Sequence, residues 1–557
     1  MRDVWRWAMP ILGPDRGTFG VAIIYGVGIS LLSLATPISV QMLINSVANT
    51  ALPAPLFTLS AVLFVLLMLS VVMSAFRTHL LELFRQRLFA RQVAEITLRA
   101  VHARNPFFQD ARTADLFNRY FEVMNIQKAV PSLLIGLFTI LLQSAVGFVV
   151  TSLYHPIFLA FNLVFIAIGW LIWVLWARGA MTSAVALSHV KYDMAHWLES
   201  IAGSNGFYKS DRHIGFAIEK SEAMTAKYLA AYRRHFRYSF SQAVAFLTLY
   251  ALASAGLLAL GGWLVIQGQL SIGQLVAAEL ILSSIFYGTS QLGPYLDTFY
   301  DLVAAVEELA LLRAIPQEES GRSGAAPDKA GDLALSDVRI GDLRLDLRIP
   351  MGSRLIAHAD ADIQRHFAML LKRHEQPDSG FITLDGADLS TIDPNRLRSD
   401  VMVLNRVATV EATIFDYLDL ASVHDTAAQI MTAIRLAGLE KRIGRLPNGI
   451  QTVLSATGWP LGAADLMRLK LASAWLRQPR ILVLSPLFDM IPSDDLTAIV
   501  RAFQGDRTTV IYFTNRADPP EFGGYLWVAE HDQRLITERA TFEALRNGGH
   551  GADNAVA

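Results

Sequence analysis

Long apolar stretches divide the chain into two parts of different character. Six stretches in the first 300 residues reach about the 20 residues that a bilayer span requires, and they lie at 18–46, 56–76, 131–153, 157–177, 240–266 and 271–295. Beyond residue 331, short apolar strands alternate with amphipathic helices. This pattern predicts an α-helical membrane domain with six transmembrane helices over 1–316, followed by an α/β domain over 332–546.

Polar and glycine-rich segments mark the predicted boundaries of the two domains. The stretch 317–331 is polar and contains Gly, Ser and Pro, which predicts a linker. The stretch 547–557 is rich in Gly, and we predict that it is a disordered tail.

Basic residues are distributed unequally between the segments that join the spans. The short loops at 47–54, 154–156 and 267–269 contain no Lys or Arg, whereas the long segments 77–130 and 178–239 contain many. Because positive charge is retained on the cytosolic side, we predict that both termini and the α/β domain are cytosolic. The expected location is a bacterial-type inner (plasma) membrane. The N-terminus lacks a compact apolar region with a cleavage site, so no removable signal peptide is expected.

The two long cytosolic segments also carry apolar residues at helical spacing. Each is interrupted once, at 104–107 and at 202–206, by residues that favour turns. We interpret them as two helical hairpins that extend the spans into the cytosol; the alternative is surface loops without a mechanical role.

Composition agrees with a membrane protein and excludes several other classes. Hydrophobic residues make up 53% of the chain and charged residues only 17%, which is too little charge for a soluble surface of this size. The net charge of −1 gives no electrostatic basis for a nucleic-acid partner. The chain contains no cysteine, so disulfides, a thiol nucleophile and a zinc–thiolate site are excluded.

Several short motifs resemble those of the ABC exporter family, in which six spans precede one nucleotide-binding domain. In the membrane half, 105–119 and 199–210 resemble the two intracellular loops, each of which would carry a coupling helix. In the cytosolic half the resemblance rests on several landmarks, which are Gly380–Gly386, Leu397-Arg398, Thr413–Tyr417, Leu446–Ile450 and Gly458. The resemblance covers essentially the whole chain and implies a P-loop-NTPase-like cytosolic domain.

The register set by these landmarks places His358–His366 at the P-loop. A P-loop needs glycines, a lysine and a hydroxyl, because its backbone N–H groups surround the phosphates while the two side chains contact phosphate and magnesium. Here the glycine positions are His358, Ala361 and Ile363, Gln364 replaces the lysine, and Arg365 replaces the hydroxyl. Asp360 and Asp362 add negative charge where a polyanion would bind.

The other catalytic motifs of the family are altered as well. Ser485 and Pro486 follow the strand Ile481–Leu484 where the family has Asp-Glu, and neither residue can organise magnesium or act as a base. Asn405 occupies the Q-loop position and Asn515 the position of the switch histidine. The signature becomes Leu461-Gly462-Ala463-Ala464-Asp465. We therefore predict that the domain binds neither ATP nor Mg²⁺ and is not an ATPase; no metal site is predicted.

The resemblance implies a dimer in the lipid bilayer, because two such domains close head to tail over two ATP molecules. The first hypothesis is a non-catalytic subunit of an export or secretion complex, paired with an active ABC half-transporter that supplies the ATPase. The second is an ATP-independent scaffold or assembly factor, paired with itself or with further secretion-complex proteins. The altered signature at Gly462 favours the second. A passive pore or carrier has the least support.

A few polar residues inside the spans are candidates for a transport path. Glu279 lies in the sixth predicted span, and intramembrane acids often face a cavity. The alternative is that Glu279 only hydrogen-bonds a neighbouring side chain and positions helices. Gln41, Asn45 and Gln143 are weaker candidates of the same kind.

Overall fold

Long helices build the first of the two units into which the computed structural model divides, Met1–Glu318 and Glu319–Ala557. The structure describes residues 2–50, 54–104, 115–318, 331–422, 427–503 and 507–552. The helices of the first unit are, in chain order, α1 (Arg2–Leu12), α2 (Arg16–Leu32), α3 (Ala35–Thr50), α4 (Ala54–Val101), α5 (Glu122–Ser132), α6 (Phe138–Tyr154), α7 (Pro156–Gly203), α8 (Asp211–Ile266), α9 (Ile272–Ser290) and α10 (Leu292–Arg313).

Six helical segments of the described chain are long and apolar enough to cross a bilayer, in agreement with the six predicted spans. The first of them is interrupted at residues 33–34, between α2 and α3. The last ends at Ser290, and α10 begins at Leu292. Pro294 lies in the first turn of α10, where its missing N–H is tolerated. The predicted end of this span at residue 295 therefore lies beyond a helix break.

The longest helices continue well beyond their apolar stretches. Helix α8 contains 56 residues, which corresponds to about 84 Å of helix against about 30 Å of hydrocarbon. Helices α7 and α8 pack against each other and are separated by a break at residues 204–210, where a short 3₁₀ turn spans Phe207–Lys209. The second predicted helical hairpin is therefore confirmed as helical. The break predicted at 104–107 and most of the first intracellular loop fall in 105–114, outside the described residues.

Polar contacts join α7, α8 and α10 near the ends of their apolar stretches. His235 of α8 lies 3.0 Å from the Ser183 hydroxyl through Nδ1 and 3.3 Å from the Asp297 carboxylate through Nε2. The Tyr300 hydroxyl donates to Gln242 Oε1 over 2.9 Å. Because buried polar groups of this kind need partners, these contacts specify how the three helices pack.

Strands and short helices build the second unit. Its strands are β1 (Leu333–Ile340), β2 (Leu343–Ile349), β3 (Arg354–His358), β4 (Ser379–Leu384), β5 (Ala387–Asp388), β6 (Val401–Leu404), β7 (Ala412–Thr413), β8 (Val453–Leu454), β9 (Ile481–Leu484), β10 (Thr509–Phe513), β11 (Gly524–Val528) and β12 (Gln533–Ile536). Its helices are α11 (Ala361–Leu371), α12 (Pro394–Asp400), α13 (Ile414–Asp419), α14 (Ala427–Leu436), α15 (Glu440–Ile443), α16 (Ala463–Arg477), α17 (Ser493–Arg501) and α18 (Arg539–Ala552).

A six-stranded sheet in the order β12-β11-β3-β10-β9-β6 forms the centre of this unit. Strands β11, β3, β10, β9 and β6 are parallel, and β12 is antiparallel to β11. Helix α11 packs on this sheet through Ile363, Phe367 and Leu371, which are buried among residues of β3 and β10. A second sheet, in the order β2-β1-β4-β5, packs into the same core. Hydropathy predicts strands at 354–357, 381–384, 401–404, 481–484 and 510–513, and these coincide with β3, β4, β6, β9 and β10.

The C-terminal segment differs from its prediction. Helix α18 continues to Ala552, so the first residues of the segment predicted to be disordered, 547–557, are helical. Phe542 of α18 is 3% exposed and stacks on Tyr525 of β11 with ring centroids 4.9 Å apart. Tertiary packing of this kind stabilises a helix whose glycine content alone argues against it. Residues 553–557 lie outside the described residues.

Lys372, which follows α11, gives this unit a defined pH dependence. Burial, together with the neighbouring cations Arg398, Arg406 and Lys470, lowers the pKa of Lys372 to about 8. The folded pKa lies below the unfolded value of 10.5, so between these two values the unfolded chain binds more protons. The free energy of unfolding should therefore rise with pH from about 8 to 10.5.

We expect Lys372→Met to stabilise the cytosolic unit at pH 7 by about 1–2 kcal/mol, because it removes a half-buried charge that has only like charges near it. This difference in the free energy of unfolding should disappear near pH 10.5. Urea unfolding followed by tryptophan fluorescence at pH 7 and pH 10.5 measures the difference. Lys441→Met removes an exposed lysine of the same unit and is the control. A variant that is less stable than the wild type at pH 7 would contradict the prediction.

Candidate functional site

A cleft of about 800 Å³ lies at the carboxyl ends of four adjacent parallel strands of the second unit, Glu319–Ala557. The chain leaves β3, β6, β9 and β10 at this edge, which is where open α/β sheets bind ligands. Eight of the ten residues that the sequence predicts at altered motif positions line it, namely His358, Ala361, Gln364, Arg365, Asn405, Ser485, Pro486 and Asn515. The strand order therefore brings together residues that are up to 157 positions apart.

Two of the predicted positions do not line this cleft. Ile363 is 5% exposed and packs in the apolar core beneath α11. Gly462 is the N-cap residue of α16. Asp465, in the first turn of that helix, forms an ion pair of 3.2 Å with Arg442. The segment at the signature position is therefore held by contacts within the cytosolic unit.

The segment at the P-loop position is a tight turn rather than an open loop. Only Ala359 and Asp360 separate β3 from α11. The Gln364 side chain, at the lysine position, folds back and donates from Nε2 to the Ala359 carbonyl over 2.7 Å. The Gln364 backbone N–H donates to the Asp360 carbonyl over 2.9 Å. No residue between His358 and His366 has a positive φ, in contrast to the glycine conformations that a phosphate-binding nest uses.

An aromatic pair closes one side of this turn. The His358 ring stacks on the Trp527 indole with centroids 5.3 Å apart and planes at 20°. The two residues are opposite each other in the register between β3 and β11. Sequence reasoning identified His358 as a missing glycine, but it could not identify Trp527 as its neighbour, because that pairing depends on strand order.

The charges around the cleft are mixed. Arg365 lies 3.8 Å from Asp362, and both side chains are largely exposed. Arg546 of α18 also lines the cleft, and it donates to the carbonyls of Arg516 and Asn515 over 2.7 and 2.8 Å. Arg546 was missed from the sequence because it lies 31 residues after Asn515, in a helix that was not predicted.

Asp489 organises the end of β10 and was also missed. Its carboxylate accepts hydrogen bonds from the Tyr512 hydroxyl, from Thr514 Oγ1 over 2.7 Å and from the Asn515 N–H over 3.1 Å. Burial raises the pKa of Tyr512, and the adjacent Asp489 carboxylate raises it further. Ser485 accepts weakly from the Leu487 N–H over 3.4 Å at the start of a 3₁₀ turn. The acid that follows β9 therefore fixes a strand end instead of facing the cleft.

The polar residues predicted to mark a transport path, Glu279, Gln41, Asn45 and Gln143, each have different surroundings and do not form one cluster. Glu279 Oε1 accepts from the Ser283 hydroxyl one turn later over 2.7 Å, and Oε2 is buried without a hydrogen-bond partner among the described residues. Gln41 accepts from the Tyr154 hydroxyl over 2.8 Å. Asn45 packs against Gly273, where an added Cβ would lie 2.3 Å from its Oδ1. Gln143 is partly buried on α6.

Comparison with solved structures identifies the fold. The chain matches a bacterial Atm1-family ABC exporter, whose structure was solved with ATP bound, with a TM-score of 0.78 over 98% of this chain and 100% of that one. Sequence identity to it is 17%, so the match describes the fold. The fold is that of an ABC exporter, with a helical membrane domain and a sheet-containing C-terminal domain.

Sequence comparison finds translocation ATP-binding proteins that are similar to this chain. The chain is 27% identical over 298 residues to the alpha-hemolysin translocation ATP-binding protein HlyB of Escherichia coli O157:H7, a match that covers 51% of this chain and 42% of HlyB. It is 22% identical over 572 aligned positions to the leukotoxin translocation ATP-binding protein LktB of Mannheimia haemolytica, which covers 97% and 78% of the two chains. No family model matches the sequence. Both relatives are translocation ATP-binding proteins, and this chain is less than 30% identical to each of them.

Proposed function

We propose that this chain is a non-catalytic subunit of an ABC-type export or secretion complex in the inner membrane, with its ATPase activity residing in a partner. The single observation that supports this most strongly is the contact of Gln364 with the Ala359 carbonyl. The side chain at the lysine position closes the turn that would otherwise surround phosphates. The proposed function thus uses the exporter fold without nucleotide chemistry of its own.

The remaining residues of the cleft support the same proposal. A magnesium-assisted transfer of a phosphoryl group needs a carboxylate for the metal and a group that orients the nucleophile. The cleft offers Ser485, Pro486 and two amides, Asn405 and Asn515, at the corresponding positions. We infer that this domain neither binds Mg-ATP nor acts as an ATPase, and that no ATP or magnesium cofactor is part of its function.

A scaffold or assembly role is the second candidate, and one contact favours it. In an ABC dimer each site combines the P-loop of one domain with the signature of the other. Here Asp465 at the signature position pairs with Arg442 of the same domain, and a carboxylate would face the partner's ATP phosphates unfavourably. In this role the cytosolic unit serves dimerisation and docking only.

Purification from the native membrane separates the two roles. A C-terminal affinity tag on the full-length chain, followed by mass spectrometry with absolute quantification, gives the partner and its ratio to the chain. An intact ABC half-transporter at one to one supports the subunit role. A self-pair, or a partner without ABC motifs, rules it out in favour of the scaffold.

A variant pair tests whether the signature position contacts the partner's nucleotide. In the purified complex, Asp465→Ala should change the partner's ATPase rate several-fold if the segment faces that ATP. Asp419→Ala removes an exposed acid of the same unit and should leave the rate unchanged. Equal rates for both variants would favour the scaffold role.

We expect both chain termini and the long helical hairpins to be cytosolic, and cysteine labelling checks this directly. The chain contains no cysteine, so single substitutions can be made without background. Gln267→Cys, in the short loop between α8 and α9, should react with a membrane-impermeant maleimide on intact cells with a permeabilised outer membrane. Ser204→Cys, between α7 and α8, should react only after lysis. The reverse pattern would invert the proposed orientation.

A further inference from the structure

Three ligand-type side chains converge where α7 and α10 pack together, outside the membrane. His189 of α7 and the consecutive residues Glu307 and Glu308 of α10 place one nitrogen and two carboxylate oxygens within 4.8 Å of one another. His189 Nε2 lies 3.0 Å from Glu307 Oε2 and 3.8 Å from Glu308 Oε1. His189 lies 12 residues after Ala177, where the fourth predicted apolar stretch ends, which is about 18 Å of helix.

One carboxylate oxygen of this cluster, Glu308 Oε1, is buried without a hydrogen-bond partner among the described residues. Glu308 is fully buried, at 0% exposure. Its Oε2 accepts from Arg119 Nε over 2.5 Å, but its Oε1 has no hydrogen-bond partner among the described residues. The 3.8 Å separation from His189 Nε2 is too long for a hydrogen bond. A buried carboxylate oxygen without a partner is unfavourable, and a cation between Oε1 and the imidazole would satisfy it.

The residues behind the cluster orient it. The Arg119 guanidinium holds Glu308 through Oε2 and lies over the Tyr192 ring at 5.0 Å, so Oε1 points toward His189. Hydrogen bonds to the far side of a ligating carboxylate are the usual second layer of a metal site. The nearby cation Lys191 is engaged by Glu122. With His189 neutral, two carboxylates and one guanidinium leave the cluster with a charge of −1, which suits a divalent cation.

We propose that His189, Glu307 and Glu308 bind one zinc ion that links α7 to α10. Zinc accepts imidazole nitrogen and carboxylate oxygen at about 2.0–2.2 Å in a tetrahedral arrangement, with water in an open position. Ligand atoms of such a site are about 3.3–3.5 Å apart, close to the 3.0 and 3.8 Å found here. The two carboxylate oxygens lie within 4.8 Å of each other, so side-chain adjustments of about 1 Å bring the three atoms to these separations. The His189 side chain is 47% exposed, which leaves the ion a path to the site.

The competing explanation is a metal-free ion pair in which a protonated His189 binds Glu307. The two explanations differ in stoichiometric zinc uptake, which an ion pair does not produce. They also differ in the residues that they require. Zinc binding requires Glu308, whereas the ion pair uses Glu307 and leaves Glu308 Oε1 without a contact.

Zinc uptake by the purified full-length chain in detergent tests the proposal. The protein is stripped with a chelator, equilibrated with zinc sulfate, passed through gel filtration and analysed for metal. We expect one zinc per chain, and a loss of at least tenfold in affinity for His189→Ala and Glu308→Gln. The chain has 13 histidines, so His531→Ala, an exposed histidine of the cytosolic unit, serves as the matched control and should retain the zinc.

Cobalt gives a second readout that does not depend on the amount bound. A four-coordinate Co²⁺ ion in this site should give visible d–d absorption that His189→Ala abolishes. Should Glu308→Gln fail to fold, as judged by gel filtration, Glu307→Gln and His189→Asn take its place in the same assay. Absence of stoichiometric zinc, or zinc retained by the His189 variants, overturns the proposal.

Discussion

The purified full-length chain is expected to bind Mg-ATP no more tightly than about 1 mM, which corresponds to a binding free energy near −4 kcal/mol, and to hydrolyse it at the background rate. Hydrogen bonds to charged groups contribute about 1.5–3 kcal/mol each, and the cleft offers no lysine at position 364 and no carboxylate at position 485. Asp360 and Asp362 add repulsion toward phosphate. The binding should be measured by thermophoresis or by photolabelling with an azido-ATP analogue.

A stepwise restoration supplies the control for this result. Gln364→Lys alone should gain little, because the turn between β3 and α11 still has only two residues and no glycine, and position 485 still carries no carboxylate. Replacement of 358–366 by a glycine-rich P-loop sequence, combined with Ser485→Asp and Pro486→Glu, should strengthen Mg-ATP binding by at least about 100-fold, or about 2.7 kcal/mol. Micromolar binding of Mg-ATP by the native chain would falsify the proposed non-catalytic role.

Phe367→Ala is expected to destabilise the cytosolic unit by about 3–5 kcal/mol, as for other buried aromatic truncations. Phe367 lies on α11 at 0% exposure and meets Phe513 of β10 edge to face, with ring centroids 5.9 Å apart. The substitution removes a large part of the contact between this helix and the sheet. Thermal unfolding of the full-length chain in detergent, followed by tryptophan fluorescence, measures the loss.

Phe381→Ala is the matched control for this variant. Phe381 is 52% exposed on β4, and surface substitutions of this kind usually change stability by no more than about 0.5 kcal/mol. Equal melting temperatures for Phe367→Ala and the wild type would mean that apolar packing does not hold α11 in place. The expected result would show that apolar packing by itself holds α11 on the sheet.

Part of the site could be predicted because its signals are local in the sequence. Strands β9 and β10 are short apolar runs, and the residues that follow them line the cleft wherever parallel strands end at one edge. The identities of Gln364, Ser485 and Pro486 are therefore enough to predict that the domain cannot bind the phosphates and magnesium of Mg-ATP. Ile363 was assigned to the same site from spacing alone, but its side chain points into the core because it belongs to the buried face of α11.

Other parts of the site depend on contacts between distant residues. Trp527 reaches His358 through strand pairing, Arg546 reaches the backbone of Asn515 through a C-terminal helix, and Asp489 reaches three groups at the end of β10. Nothing in the local sequence around any of them indicates its partner.

The sequence by itself determined the number of spans, the unequal distribution of charge and the altered motif residues, because hydropathy and residue identity act locally and need no knowledge of packing. Only the tertiary structure decided that Gln364 closes its own turn and that Asp465 is held by Arg442. It also decided that His189 meets Glu307 and Glu308 across 118 positions of chain. Those contacts arise when separate helices and strands pack together, so they depend on the arrangement of the whole unit and not on the spacing of residues within one segment.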